Sequence, residues 1–416
     1  MRYANLIKYM NSFAPSLTGA DISQRRLCEL CEKLGRVNIG TRYIWLPDGS
    51  AGYAASIMLE SVIKSAGYTV GRITSSGDFD SRAVAYINGE IPSIDDYNKA
   101  VTELKSVVQK MSEETYLKEE MSFVSGLLLC KMGSCEYIIL QGLSGEGYSL
   151  DAVCAPYDLI VIPTVYERLQ NSNGLKILCD AIKRGCREVV SGNQKSDIYN
   201  RISNACSVGG VRLYIPVKAQ FEITDITSRS IGFKYGEKDG YSLKSPSLML
   251  RDCAMTVIES ALAIRRSGMK LPWSSIKTGL ATATATGCFD MLSVSPKIII
   301  DSARSADEAS LVLKTADEVW GRQEKLYLCV GVGKRSEVES FLAAFADRKL
   351  QGVIAVCEDD LDVEDLENAS ITVCRKSREA AKLLPESCYG DALVLCFGGV
   401  DFAFDIKTEL LNKMNG

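Results

Sequence analysis

The sequence predicts an α/β protein built in two parts, and three observations carry that reading. The stretch Tyr43–Gly71 runs strand, glycine-bearing turn, helix and second strand. From Lys297 onward strands and helices alternate regularly, which predicts a parallel sheet with ligands at the C-terminal ends of its strands. The chain's 416 residues exceed what one compact core holds and predict two or three domains.

In the first stretch Tyr43–Leu46 is a short apolar run, and Pro47, Asp48, Gly49 and Gly52 read as turn residues. From Tyr53 apolar residues recur at helical spacing, as Ile57, Met58, Val62, Ile63 and Ala66. Gly67 stops that helix and Tyr68–Ile73 resumes an extended pattern. At such a turn, loop and helix N–H groups converge on a nucleotide phosphate. A phosphate loop also carries a Lys for the phosphates and a Ser or Thr for magnesium. No Lys lies between Tyr43 and Ile63.

Upstream, residues 1–40 read as helical through Leu27, Leu30, Leu34 and Val37. Downstream, the strand through Ile73 enters a polar loop ending at Gly77, and Asn88-Gly89 signals a tight turn. Ser93-Ile-Asp-Asp96 has capping-box spacing with Asp in place of Glu, and opens a helix with Val101, Leu104, Val107, Val108 and Met111 on one face. Glu119–Lys131 reads as a buried helix. Tyr137–Leu140 is a strand entering a second glycine-rich loop, Gly142–Gly147. Leu159–Pro163 is a further strand, with more helix and strand at Ile177–Arg184, Glu188–Val190 and Leu213–Pro216. Gln220–Tyr241 alternates as a small antiparallel sheet does, and Leu248–Ser267 is helical. The small polar run Thr282–Gly287 places a linker near 285–296. Beyond it the strands are Lys297–Ile300, Leu326–Val332, Gly352–Val356, Ile371–Val373 and Ala392–Phe397. The helices between and after them are Ala306–Trp320, Glu337–Ala346, Arg378–Leu384 and Asp405–Met414.

Composition narrows the chemistry. A hydrophobic content of 46% with 24% charged residues is that of a soluble globular chain. The formal net charge of −4 argues against nucleic acid as partner, and the basic clusters Lys183–Arg187, Arg265–Lys270 and Arg375–Arg378 read as solvated helix faces. No apolar run reaches the roughly 18–20 residues of a membrane span, and the N-terminus lacks the apolar core and cleavage site of a signal peptide, so a cytoplasmic protein without membrane contact is expected. The 15 cysteines are scattered through apolar patterns as small hydrophobes, and Cys28-Glu-Leu-Cys31 has no second pair at metal spacing. With no histidine at all, every Ser-His or Cys-His nucleophile and every His-ligated metal is excluded.

Four stretches then stand in a telling order and spacing: Met58–Gly71, Thr74-Ser75 to Asn88-Gly89-Glu90, Leu140-Gln-Gly-Leu-Ser-Gly-Glu-Gly-Tyr-Ser-Leu-Asp-Ala152, and Asp301-Ser-Ala-Arg-Ser305. Together they resemble the folylpolyglutamate synthases of the Mur ligase superfamily over most of the chain. The resemblance implies a Mur-ligase-like central P-loop-type α/β domain at 1–290, with a degenerate phosphate loop at 48–56. It further implies a C-terminal Rossmann-like parallel α/β domain at 291–416. Family members use ATP and Mg2+ to make an acyl phosphate on a substrate carboxylate, which an amino group then attacks. A Lys and loop amides neutralise the triphosphate, hydroxyl and carboxylate groups hold magnesium, and the C-terminal domain closes over the site.

Carried across, the family's phosphate-loop pattern Gly-Thr-Asn-Gly-Lys-Gly-Ser/Thr falls on Gly49-Ser50-Ala-Gly52-Tyr53-Ala-Ala55, with Ser56 one position on. Both early glycines remain in that register, but Tyr53 stands at the Lys position; aligned without a gap, Gly52 stands there instead. The Ser-Pro-His loop becomes Ser75-Ser76-Gly77. The Glu of the Leu-Glu-Val-Gly loop is Gln141. The position of a magnesium-ligating His, near Tyr166-Glu167, holds none, and the Pro-Gly-Arg linker becomes Thr286-Gly287-Cys288. Asp301 of the C-terminal motif remains, while its His and Asn are Arg304 and Ser305.

These losses together predict a catalytically inactive homologue that acts as a binding or scaffolding module for a small molecule or protein, with no cofactor assigned. The alternative is an active ATP-dependent amide-bond-forming ligase with a rearranged site. It would use ATP and Mg2+, draw cations from Lys64, Arg72, Arg82 or Arg304, and take magnesium ligands from Glu119, Glu120 and Glu146. A third reading puts a different ligand in the same cleft, with Tyr53 stacked on a ring.

Overall fold

The computed structural model describes residues 3–15, 22–74, 80–111, 115–145, 148–166, 173–357, 370–387 and 390–415. The chain divides into two compact units. One comprises Met1–Val165, Leu169–Lys218 and Cys253–Ala283; the other comprises Tyr166–Arg168, Ala219–Asp252 and Thr284–Gly416.

The first unit is built on a seven-stranded sheet. Its strands are β1 (Arg42–Leu46), β2 (Val70–Thr74), β3 (Ala85–Ile87), β4 (Tyr137–Gln141), β7 (Tyr157–Ile162), β8 (Cys186–Ser191) and β9 (Arg212–Tyr214), in the spatial order β3-β2-β4-β1-β7-β8-β9. Only β3 runs antiparallel to its neighbour. Two further two-residue strands, β5 (Ser144–Gly145) in the second glycine-rich loop and β6 (Tyr148–Ser149) just after it, pair antiparallel. Helices cover both faces, which is why central strands such as Tyr43-Ile-Trp-Leu46 are apolar without alternation.

On one face Tyr43, Trp45, Ile73, Ile138 and Ile160 pack with α1 (Tyr3–Met10), α2 (Gln24–Lys33), α4 (Ile94–Val108), α5 (Lys118–Met132), α6 (Gly174–Lys183) and α7 (Ser196–Gly209). The other face carries α3 (Ser50–Ser65), α8 (Leu248–Arg266), whose residues from Cys253 on belong to this unit, and α9 (Trp273–Thr282). Ser93 caps α4 but without the reciprocal bond of a capping box: its hydroxyl accepts from the Asp96 N–H at 3.1 Å and donates to the Asp96 carboxylate at 2.7 Å.

The second unit holds a three-stranded antiparallel sheet, β10 (Phe221–Ile226), β11 (Ile231–Tyr235) and β12 (Lys238–Leu243), as the alternation predicted. Its larger sheet has six strands: β13 (Asp290–Val294), β14 (Lys297–Asp301), β15 (Leu326–Gly331), β16 (Leu350–Val356), β17 (Ile371–Cys374) and β18 (Leu393–Phe397). Their order is β13-β14-β18-β15-β16-β17, all parallel except β13. Ile299, Leu328, Leu395 and Phe397 face α10 (Ala306–Trp320) and α11 (Arg335–Ala344). Ile298, Ile300, Cys329 and Cys396 face α12 (Ser377–Ser387) and α13 (Val400–Asn415). The period-2 direction of strand side chains divides the Ile298-Ile-Ile300 run between two cores.

Three local readings change. Helix α3 begins at Ser50, three residues before the expected start at Tyr53, so the connection from β1 is only Pro47-Asp48-Gly49. Gly52 therefore lies in the first helical turn. It is glycine because a Cβ there would stand 2.1 Å from the Pro47 carbonyl oxygen, a close approach rather than a turn. Asp290–Val294, inside the stretch read as linker, is a strand bonded to β14. The last helix starts at Val400, one turn earlier than the pattern from Asp405 indicated.

Candidate functional site

The parallel strands β2, β4, β1 and β7 end together, and the β1–α3 turn leaves the sheet at their centre. Leu46 pairs in register with Gln141, which in turn pairs with Thr74. The Gly142 N–H bonds the Leu46 carbonyl at 3.2 Å. The structure thus sets buried Gln141 beside the turn. Ser75 and Ser76, the next residues beyond Thr74, lie outside the described residues, as does Glu146.

Gly49 is the N-cap of α3, at φ +106°, a left-handed backbone that favours glycine. It offers no side-chain cap; its carbonyl accepts the Tyr53 N–H at 2.9 Å. Ser50 is buried in the first turn. Tyr53 is half-buried in the second. Ser56 is fully buried and donates its hydroxyl back to the Tyr53 carbonyl at 2.8 Å, so it is spent within the helix rather than held toward its N-terminus.

The charge around this turn is negative. Asp48 is exposed on the connection itself. The Tyr148 hydroxyl is pushed above the usual phenol range, first by burial, then by the charges of Asp48, Glu119 and Asp151. Asp151 is fully buried: one oxygen accepts Ser144 and Ser149 hydroxyls at 2.6 Å each, and the other accepts Tyr157 at 3.1 Å. This network, which pins the second glycine-rich loop, escaped sequence reasoning. The spacing Ser144…Ser149…Asp151 was its only signal.

The residues considered as replacement cations have partners. Arg72 Nε is 2.8 Å from Glu60 Oε2 and its guanidinium lies 4.3 Å over the Tyr86 ring. The second Glu60 oxygen takes the Gly89 N–H at 2.6 Å. Arg82 pairs with Asp80, and Lys64 Nζ bonds the Asn88 carbonyl at 2.8 Å. Of the carboxylates considered for magnesium, Glu120 is fully buried. It accepts from Arg26 at 2.7 Å, from the Ser23 N–H at 2.9 Å and from the Leu117 N–H at 3.0 Å, tying α5 to α2. The charge of Glu119, its neighbour, instead helps to raise the Tyr148 hydroxyl. Among the described residues no group of three or more His, Cys, Asp or Glu side chains is arranged to hold a metal ion. An exposed Asp on a short turn, with no Lys or Arg within the first turns of α3, does not fit a magnesium triphosphate.

Asp301 and Arg304 belong to the second unit, at the end of β14. Both Asp301 oxygens accept backbone N–H groups at 2.8 Å, from Phe289 and from Ala303. Arg304 lies over Gly399, where a Cβ would stand 1.9 Å from its Nε, and reaches Asp401 at 3.5 Å. Ser305 N-caps α10 with Glu308 as its capping partner. The retained Asp thus anchors the strand end, and its motif partners start a helix.

Burial pushes the Asp301 carboxyl up to about 7, against the two N–H groups that pull it down. Its folded-state value exceeds the unfolded one of 3.8. The stability that protonation lends is therefore complete below the unfolded value and is lost as pH rises through the folded value. Between about pH 4 and about pH 7 the second unit is expected to lose stability from this group, and above that to level off. Denaturant unfolding of the wild type and of Asp301→Asn across this range checks it: the difference between the two should slope, and a flat difference would remove the assignment.

No family model matches the sequence, and no curated protein matches it. Solved structures do. An FPGS–AMPPCP–folate complex superposes with a TM-score of 0.80 at 16% identity, over 99% of this chain and 100% of that one. The folylpolyglutamate synthase of Thermotoga maritima gives 0.75 at 18%, over 99% and 97%. That of Mycobacterium tuberculosis, complexed with ADP and AMPPCP, gives 0.78 at 16%, over 98% of each chain. At these identities the likeness establishes the fold. Among the described residues no helix is long and apolar enough to cross a membrane.

Proposed function

We propose that this chain, which has the folylpolyglutamate synthase fold, is a catalytically inactive homologue: a ligase-like binding or scaffolding module that does not couple ATP cleavage to amide-bond formation. The β1–α3 turn supports this reading more than any other feature. A phosphate loop works by surrounding the triphosphate with amide N–H groups and a Lys. This turn is shortened to three residues, carries Asp48, and has Tyr53 in the Lys position. One electrostatic stabiliser is worth on the order of 3–4 kcal/mol in a transition state, so losing the cation and its partners together removes most of a ligase's rate. We place the protein in the cytoplasm, with a small molecule or a protein as its partner rather than nucleic acid or a membrane.

Calorimetric titration of the full chain with ATP, with and without Mg2+, tests this. The expected result is no saturable binding at millimolar nucleotide. Magnesium-dependent binding at millimolar or tighter affinity, followed by ADP release with a folate and glutamate, would establish an active ligase with a rearranged site instead.

A further inference from the structure

Helix α5 ends in a turn that brings two thiols together. The Cys135 N–H bonds the Cys130 carbonyl at 3.0 Å, and the Ser134 N–H bonds the Lys131 carbonyl at 3.0 Å. Ser134 takes a left-handed backbone at φ +51°. Two such bonds around one left-handed residue make a Schellman turn, which sets the side chains of its first and sixth residues against each other. Here both are cysteines. The backbone bond alone keeps their Cα atoms within about 7 Å, the longest separation that a disulfide bridges.

The two sulfurs meet over Gly71 of β2. A Cβ there would stand 2.4 Å from Cys130 Sγ and 3.2 Å from Cys135 Sγ, so both sulfurs reach one spot and the glycine leaves room for them. The thiols hydrogen-bond, and this bond together with burial pushes Cys130 well above the usual thiol range. Both cysteines are free. Cys130 is fully buried, whereas Cys135 is 8% exposed and stands between exposed Ser134 and Glu136. The turn itself needs only an apolar contact, which Ala or Val would supply. Two thiols add the capacity for a covalent bond. Cys329 and Cys396 also hydrogen-bond, but they are register partners on β15 and β18, fully buried between buried neighbours.

We propose that Cys130 and Cys135 are a redox site, which a peroxide converts to a disulfide that clips the end of α5 to the chain entering β4. First, Cys135 Sγ attacks one oxygen of hydrogen peroxide. The O–O bond breaks, a sulfenic acid forms on Cys135, and the other oxygen leaves as water with the thiol proton. Then Cys130 Sγ attacks the Cys135 sulfur. The S–S bond forms, the S–O bond breaks, and a second water leaves with the Cys130 proton. The two sulfurs lose two electrons, and the peroxide takes them up. Cys135 reacts first because it lies nearer to solvent, in a terminal turn that opens more readily than the middle of a helix.

The test is oxidation of the full chain with hydrogen peroxide, alkylation of the remaining thiols in denaturant, and tryptic mass mapping. Trypsin cleaves after Lys131, between the two cysteines. Peptides Glu119–Lys131 and Met132–Arg168 should therefore appear joined, with fragment ions placing the bond at Cys135 rather than Cys154, and dithiothreitol should part them. The number of alkylated thiols should fall by two from 15. Cys329 and Cys396 should stay reduced. Cys130→Ser should leave a Cys135 sulfenic acid that dimedone traps, and Cys135→Ser should leave Cys130 as a thiol. The wild-type map decides the matter even where a variant fails to fold. The proposal is overturned if both cysteines stay reduced at a dose that oxidises the exposed Cys28, or if the bond maps to Cys154. Oxidation of Cys130 undiminished in Cys135→Ser, or of Cys329 and Cys396 at the same dose, also overturns it.

Discussion

Glu60→Ala should destabilise the first unit by about 3–5 kcal/mol, the cost of stranding a buried charge. Arg72 and Glu60 are 5% and 4% exposed at the side chain and 2.8 Å apart. Without the carboxylate, the Arg72 guanidinium keeps, among the described residues, only the Tyr86 ring, and the Gly89 N–H loses its acceptor. The pair joins α3 to β2, the two elements that follow the β1–α3 turn. Denaturant unfolding followed by far-UV circular dichroism and tryptophan fluorescence reads the loss, with the transition of each unit fitted separately because a two-unit chain need not unfold in one step. The double variant Glu60→Leu with Arg72→Met should recover most of the stability, since a packed apolar pair avoids desolvating two charges. A loss below about 1 kcal/mol in the single variant would show that the pair is not a buried one.

Gly279→Ala should cost about 3 kcal/mol or more, the upper range for overpacking a core. A Cβ at Gly279 would stand 2.4 Å from Val62 Cα, 2.6 Å from its N and 2.7 Å from its Cγ2. The obstacle is α3 backbone, which cannot rotate away as a side chain does. Relief requires α9 to lift off α3, and the two helices pack along their lengths. The same unfolding measurement checks this, with Gly67→Ala as comparison, where nothing lies within 4 Å and only the strain of φ +89° is added. Equal effects at both positions would mean that the α3–α9 approach is looser than described.

These two positions also show where the sequence could and could not be read. Arg72 looked like a spare cation near a phosphate loop because its partner Glu60 lies on a different element, and nothing local links them. Glu120 looked like a metal ligand for the same reason: Ser23 and Arg26 are nearly a hundred residues away in the chain. Gly52 carried a signal that was misassigned. A glycine near a strand end reads as a turn, whereas here it admits the Pro47 carbonyl into the first turn of α3. Helix α9, bearing Gly279, was not anticipated, because a ten-residue helix with a small apolar set has a weak periodic signal.

The sequence by itself determined most strands and helices of both sheets, β13 and α9 excepted, since period-2 and period-3.6 patterns are local and dominate where burial is strong. It also excluded histidine chemistry, because the absence of histidine is a fact of composition that no folding alters. Tertiary structure alone decided what the charged residues are for. Ion pairs and cavities depend on which distant segments meet, and sequence spacing does not encode that. Glu60 and Arg72 became a buried strut, and Asp301 a strand anchor with a raised pKa.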